Sequence, residues 1–128
     1  MIAAQGLHHV SICVAGLERA RRFYGEVLGL SEIERPPFDF PGAWYAIGEV
    51  QLHLIVHPKS RTLRGTTAID SRDGHYALRV TSYQATLRHL RDRGIPCRER
   101  PQNPTGWPQL FITDPDGNVI ELNSSTLD

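Results

Sequence analysis

Hydrophobic and polar positions follow the same scheme twice along this chain of 128 residues. The run His9-Val10-Ser11-Ile12-Cys13-Val14 alternates with period two, and so does His75-Tyr76-Ala77-Leu78-Arg79-Val80, 66 residues later. Alternation of this kind predicts strands that pack on one face. The period then lengthens. Leu17, Ala20, Phe23, Tyr24, Val27 and Leu28 recur three and four apart, and Gly29 stands where a left-handed capping residue belongs, so a helix is expected. In the second half Ser82 is the expected N-cap, Tyr83, Leu87 and Leu90 form the stripe and Gly94 closes it, a sparser pattern that predicts the weaker of the two helices.

Three further strands are predicted after each helix: Leu30 to Arg35, Ala43 to Ile47 and Val50 to Val56, then Ile95 to Arg100, Gln109 to Thr113 and Asn118 to Asn123. Both halves therefore read β-α-β-β-β. Arg35-Pro36-Pro37 and Arg100-Pro101-Gln102-Asn103-Pro104 fall between the second and third strands of their halves, where proline does not interrupt a ladder. Asp114-Pro115-Asp116-Gly117 is a hairpin turn by residue type, with Gly48-Glu49 in the same slot of the first half. The polar stretch Pro58 to Asp73, with Lys59, Arg61, Arg64 and Arg72, is expected to be a linker or flexible lid, and Ser124 to Asp128 a frayed tail. The expected fold is α+β: one domain over 1–128, with module one at about 7–57, the linker at about 58–73 and module two at about 74–123.

Composition narrows the partners. With 14 basic and 14 acidic residues, 40% hydrophobic and 22% charged, the chain has too much apolar content for disorder and lacks the basic footprint of a nucleic-acid or anionic-lipid binder. No run approaches a membrane span, and the apolar start Met1 to Ala4 is too short for a signal peptide. Cys13 and Cys97 have no framework spacing, which suits a reducing compartment, so a cytoplasmic location is expected.

Strand alternation also sorts the polar residues by face. Where Val10, Ile12 and Val14 pack, His9 faces away; where Leu52, Leu54 and Val56 pack, Gln51 and His53 face away; His75 and Glu121 take the same face in the second half. His9 matches His75, and His53 matches Glu121 at an offset of 68 residues, so each module offers one pair of positions to a common centre. Three imidazoles and a carboxylate suit one divalent transition metal ion, such as Zn, Ni, Co, Fe or Mn. An amphipathic sheet with one wet face would show the same alternation without any metal.

The segments His9-Val-Ser-Ile-Cys-Val, Gly16 to Leu30, Gly74-His75-Tyr-Ala-Leu-Arg-Val and Asp114-Pro-Asp-Gly-Asn-Val-Ile-Glu121-Leu together resemble the vicinal oxygen chelate superfamily, over about residues 7–123. That group includes glyoxalase I, methylmalonyl-CoA epimerase, extradiol dioxygenases, fosfomycin-resistance enzymes and bleomycin-binding proteins. The resemblance implies paired βαβββ modules in a U-shaped, incompletely closed barrel, a homodimer for a chain this short, and metal ligands at His9, His53, His75 and Glu121. Bacterial glyoxalase I carries His, Glu, His, Glu at these places, so His53 is a departure. On the glyoxalase reading Glu121 is a catalytic base and His53 the second proton carrier, acting on a small-molecule substrate that chelates the metal through adjacent oxygens. On the extradiol dioxygenase reading His9, His75 and Glu121 form an Fe(II) triad and leave His53 for proton transfer. A metal-free drug-binding or resistance protein is the third reading. Arg79, Gln51, Phe38 and Trp44 are candidate substrate contacts, as is Trp107 at the equivalent place in the second half.

Overall fold

The computed structural model describes all 128 residues, which divide into two compact units, Met1–Leu63 and Arg64–Asp128. Unit one runs β1 (His9–Val14), α1 (Leu17–Arg21, continued over Arg22–Val27), β2 (Ser31–Ile33), β3 (Gly42–Ile47) and β4 (Val50–Val56). Unit two runs β5 (His75–Arg79), α2 (Tyr83–Asp92), β6 (Arg98–Arg100), β7 (Gln109–Thr113) and β8 (Val119–Asn123). The fold is α+β with one sheet topology used twice: β1-β4-β3-β2 in the first unit and β5-β8-β7-β6 in the second. In each, the first strand pairs parallel to the last and the other pairings are antiparallel.

The alternation fixes which face is buried against the helix. In unit one Val14, Leu52, Leu54, Ala43 and Tyr45 are buried, together with Ala20, Phe23 and Tyr24 of α1. In unit two Leu110, Ile112, Ile120 and Leu122 are buried with Tyr83, Leu87 and Leu90 of α2. A one-residue slip in any central strand would exchange these apolar sets for the polar ones, so burial also sets the register.

The helices reverse their expected ranking. The second, sparser in its pattern, is a regular ten-residue α-helix. Its N-terminus is fixed by Ser82, whose Oγ accepts from Ala85 N–H at 3.1 Å and donates to Asp128 O at 2.9 Å. The first helix widens into a π-helical segment over Arg22–Val27, with Leu28 N–H donating to Phe23 O at 2.9 Å. The extra residue in the turn leaves both Phe23 and Tyr24 buried, their rings edge to face at 5.1 Å. Ser82→Ala is expected to cost about 1 kcal/mol, the worth of one N-cap, measured as a shift in urea midpoint at constant slope.

Two other expectations change. β2 and β6 are three residues each, because Pro36 and Pro96 carry no N–H for a ladder and both strands lie on sheet edges. The C-terminal residues are tethered rather than frayed: Arg79 Nη1 donates to Ser125 Oγ at 3.1 Å and Asp128 O accepts from Ser82. The polar segment ends in firm contacts within unit two, where Arg64 bonds Asp73 Oδ2 and Gly117 O, each at 2.8 Å.

Candidate functional site

Register explains which side chains meet. In unit one His53 lies opposite Trp44 of β3 and Ser11 of β1, while His9 lies opposite Gln51. Directly opposed residues on one face bring their side chains together, and His53 and Trp44 stack at 3.9 Å between ring centroids with 3° between planes. His9, two residues back along β1, covers the other side of the His53 ring at 4.1 Å and 17°. His53 is thus sandwiched, with only 6% of its surface exposed.

The ring nitrogens have separate tasks. His53 Nε2 is 2.8 Å from Gln51 Oε1, an acceptor, so Nε2 carries the proton and Nδ1 keeps the lone pair. Burial, followed by the positive charge of His9, His8 and Arg35, holds its pKa below the ordinary histidine value. His9 Nδ1 is 2.8 Å from His8 Nδ1, and with His9 as the donor of this pair its Nε2 keeps the lone pair for a ligand.

Unit two repeats the frame with different chemistry. Glu121 lies opposite Phe111 of β7 and Ala77 of β5, with His75 two residues back along β5. His75 Nε2 is 3.5 Å from Glu121 Oε1. The outer atoms of the pair are clamped: His75 Nδ1 donates to Asp73 O at 2.8 Å, and Glu121 Oε2 accepts from Asn123 Nδ2 at 2.6 Å. Phe111 meets His75 edge-on at 5.6 Å. The strand carrying Glu121 is buried at all five positions, so this face is not simply wet.

The donor set of unit two fits a metal ion. Two ligands each about 2.1 Å from a metal are roughly 3.0–3.4 Å apart across an octahedral or tetrahedral angle, close to the His75–Glu121 separation. A carbonyl on the imidazole N–H and an amide on the carboxylate are the partners that orient metal ligands. Unit one fits less directly, since His53 Nε2 is held by Gln51 and the stacked planes of His9 and His53 run nearly parallel. Neither unit by itself gathers three His, Cys, Asp or Glu side chains in an arrangement that could hold a metal ion.

The other expected contacts divide. Gln51 and Trp44 touch His53, and Phe38 reaches Trp44 with ring centroids 6.1 Å apart. Arg79 points to Ser125, and Trp107 is 39% exposed in its loop, where its carbonyl accepts from Asn103 Nδ2. Counting from β3 and β7, Trp107 takes the place of Phe40, and Phe111 takes that of Trp44. Arg35 was not expected near the site, yet the loop returning from β2 lays it over Phe38 and Phe40. Cys97 is no candidate nucleophile: burial first, then Glu99, pushes its thiol up to about 11.

Against known proteins, residues 6–122 match the family model of the Glyoxalase/Bleomycin resistance protein/Dioxygenase superfamily. The chain belongs to that superfamily. It is 33% identical over 119 residues to Glyoxylase I 4 of Arabidopsis thaliana, covering 91% of this chain and 68% of the relative. It is 26% identical over 121 residues to a probable lactoylglutathione lyase of Synechocystis, covering 91% and 92%. Among solved structures, a glyoxalase family protein from Bacillus anthracis superposes with a TM-score of 0.81 at 26% identity, over 97% of this chain and 98% of that one. A fosfomycin resistance protein of Listeria monocytogenes, complexed with Mn(II) and a dihydroxypropylphosphonic acid, shares the superfamily fold with a TM-score of 0.73 at 17% identity, over 98% and 95%. Superfamily membership sets the α+β fold, and no helix is long and apolar enough to cross a membrane.

Proposed function

We propose that this chain is a divalent-metal-dependent lyase of the glyoxalase I type, which moves a proton between adjacent carbons of a thiol adduct of a small 2-oxoaldehyde. The observation that carries the reading is the His75–Glu121 pair with both outer atoms clamped. Names borne by the Arabidopsis and Synechocystis relatives support the reaction class, and the Mn(II) complex of the Listeria protein supports a divalent metal. His75 Nε2 and Glu121 Oε1 of unit two would hold the ion.

A bound divalent ion supplies Lewis-acid stabilisation of negative charge on adjacent substrate oxygens. Glu121 would serve as base only with Oε1 released from the ion, taking the proton from the hydroxyl-bearing carbon and returning it to the neighbouring carbon, while Asn123 holds Oε2 in place. His53 Nδ1, neutral and with its lone pair open, is the group to take the hydroxyl proton and deliver it to the neighbouring oxygen, which becomes the product hydroxyl. Sandwiching by Trp44 and His9 holds that ring still.

Elemental analysis of untagged protein tests the metal. Wild type is expected to hold about one transition metal ion per chain and His75→Ala to lose it; metal retained by His75→Ala would overturn the assignment of the pair. Thioester formation from methylglyoxal and glutathione tests the reaction. Iron as the bound metal together with oxygen uptake on a catechol would replace the lyase assignment.

A further inference from the structure

Arg35 is a cation in a setting built from rings. Its Cζ lies 4.9 Å from the centroid of Phe38 and 5.0 Å from that of Phe40, and those two rings stack on each other at 5.2 Å. Nη2 donates to Phe40 O at 2.8 Å. Nε is buried and has no hydrogen-bond partner. The guanidinium lies flat against the start of β3, since a Cβ on Gly42 would come within 2.9 Å of Nη2 and 3.0 Å of Nε. The attraction of aromatic faces for a cation offsets part of its desolvation, but a ring face does not satisfy a directional N–H that has lost water.

Beside this group is an open cleft of about 110 Å³, lined by Arg35, Phe38, Phe40, Trp44, His53 and Ile55. An enclosed cavity of about 150 Å³ takes a benzene ring, so a smaller cleft open on one side has room for a ring with its edge in solvent. We propose that this cleft binds an aromatic carboxylate, with the carboxylate against the Arg35 guanidinium and the ring against Phe38 and Trp44. One guanidinium edge matches the single charge of a carboxylate; the lining contains no lysine or second arginine to balance a phosphate dianion. The flat, apolar wall favours an aryl group over a flexible chain.

Binding needs no metal and stands apart from the lyase reading. Its consequence for substrate choice rests on that reading: His53 lines the same cleft, so a substrate bearing an aromatic carboxylate would be held by Arg35 beside His53. Glutathione-dependent turnover failing would leave the cleft untouched, and the cleft failing would leave metal content untouched.

Isothermal titration of the EDTA-treated full chain with benzoate tests the site. Saturable one-to-one binding is expected, weakened about tenfold or more for benzamide, which lacks the charge, and for acetate, which lacks the ring. Arg35→Gln is expected to lose a similar factor, and Arg35→Lys to recover only part of it because a lysine has no planar fork. Should Arg35→Gln fail to fold, the Arg35 Nε–H resonance of the wild-type protein gives an independent readout and is expected to shift on benzoate addition. Equal affinity for benzoate and benzamide, equal affinity for benzoate and inorganic phosphate, or an unmoved Nε–H resonance would each overturn the proposal.

Discussion

Glu121→Gln is expected to remain folded and to lose about 10²–10⁴-fold in thiol-adduct isomerisation, the usual worth of a positioned general base. The substitution is nearly isosteric at a residue that is 7% exposed, and the side-chain oxygen of glutamine can still accept from Asn123 Nδ2. Its amide nitrogen then faces His75 Nε2 at the 3.5 Å now spanned by the carboxylate. An N–H directed at the imidazole lone pair occupies the atom meant for metal and offers no second donor. Removing a buried charge lowers the desolvation burden of the folded chain, so thermal stability should hold or rise while activity falls. Circular dichroism separates this result from misfolding. Activity within threefold of wild type would remove Glu121 from the chemistry, whatever metal the protein carries.

His53→Gln gives a milder expectation at the matching position of unit one. The ring is the centre of the Trp44–His53–His9 stack, and losing it removes two ring contacts together with a proton acceptor. If Glu121 is the principal base, His53→Gln should lower kcat more than it changes metal content, as measured by steady-state kinetics beside elemental analysis.

The strands that carry the candidate residues were legible because each has one face committed to a helix. Val10, Ile12 and Val14 could only point inward, and His9 then had to point outward; the same logic placed His53, His75 and Glu121. Four residues could therefore be assigned to faces from a period of two. Other features carried no such signal. The under-winding of α1 preserves an apolar stripe, so a 3.6-residue reading of Phe23, Tyr24 and Val27 looks regular where the backbone is π-helical. Arg35 reaches the cleft because the 34–41 loop doubles back, and its contacts with Phe38 and Phe40 depend on loop conformation rather than on spacing. Asn123 follows Glu121 by two residues in one strand and so shares its face, but only the structure shows it gripping Oε2. The pairing of Trp44 with His53, and of Phe111 with Glu121, is a matter of strand register, which the sequence does not state until turns and edges are known.

Gly117→Ala is expected to destabilise the chain by about 2–5 kcal/mol, more than any other single glycine substitution. Two independent costs add. Gly117 has φ of +87°, where an L side chain is strained by roughly 1–2 kcal/mol, and a Cβ there would fall 1.9 Å from Thr66 O and 2.9 Å from its carbonyl carbon. These are backbone atoms of a segment pinned by Arg64 to Gly117 O and by Thr113 Oγ1 to Thr67 O, so they cannot swing aside cheaply. Relieving such a clash in a packed setting costs roughly 1–3 kcal/mol. Gly94→Ala supplies the control, because Gly94 has φ of +67° with nothing within 4 Å of the added Cβ. It should show the backbone cost alone, and the difference between the two variants in urea denaturation measures the steric part. Because the Asp114 to Gly117 turn leads directly into β8, crowding at Gly117 acts at the base of the strand that carries Glu121. Loss of metal affinity in Gly117→Ala, with none in Gly94→Ala, would show that the close packing of the 64–67 segment against this turn sets the position of the carboxylate as well as the stability of unit two.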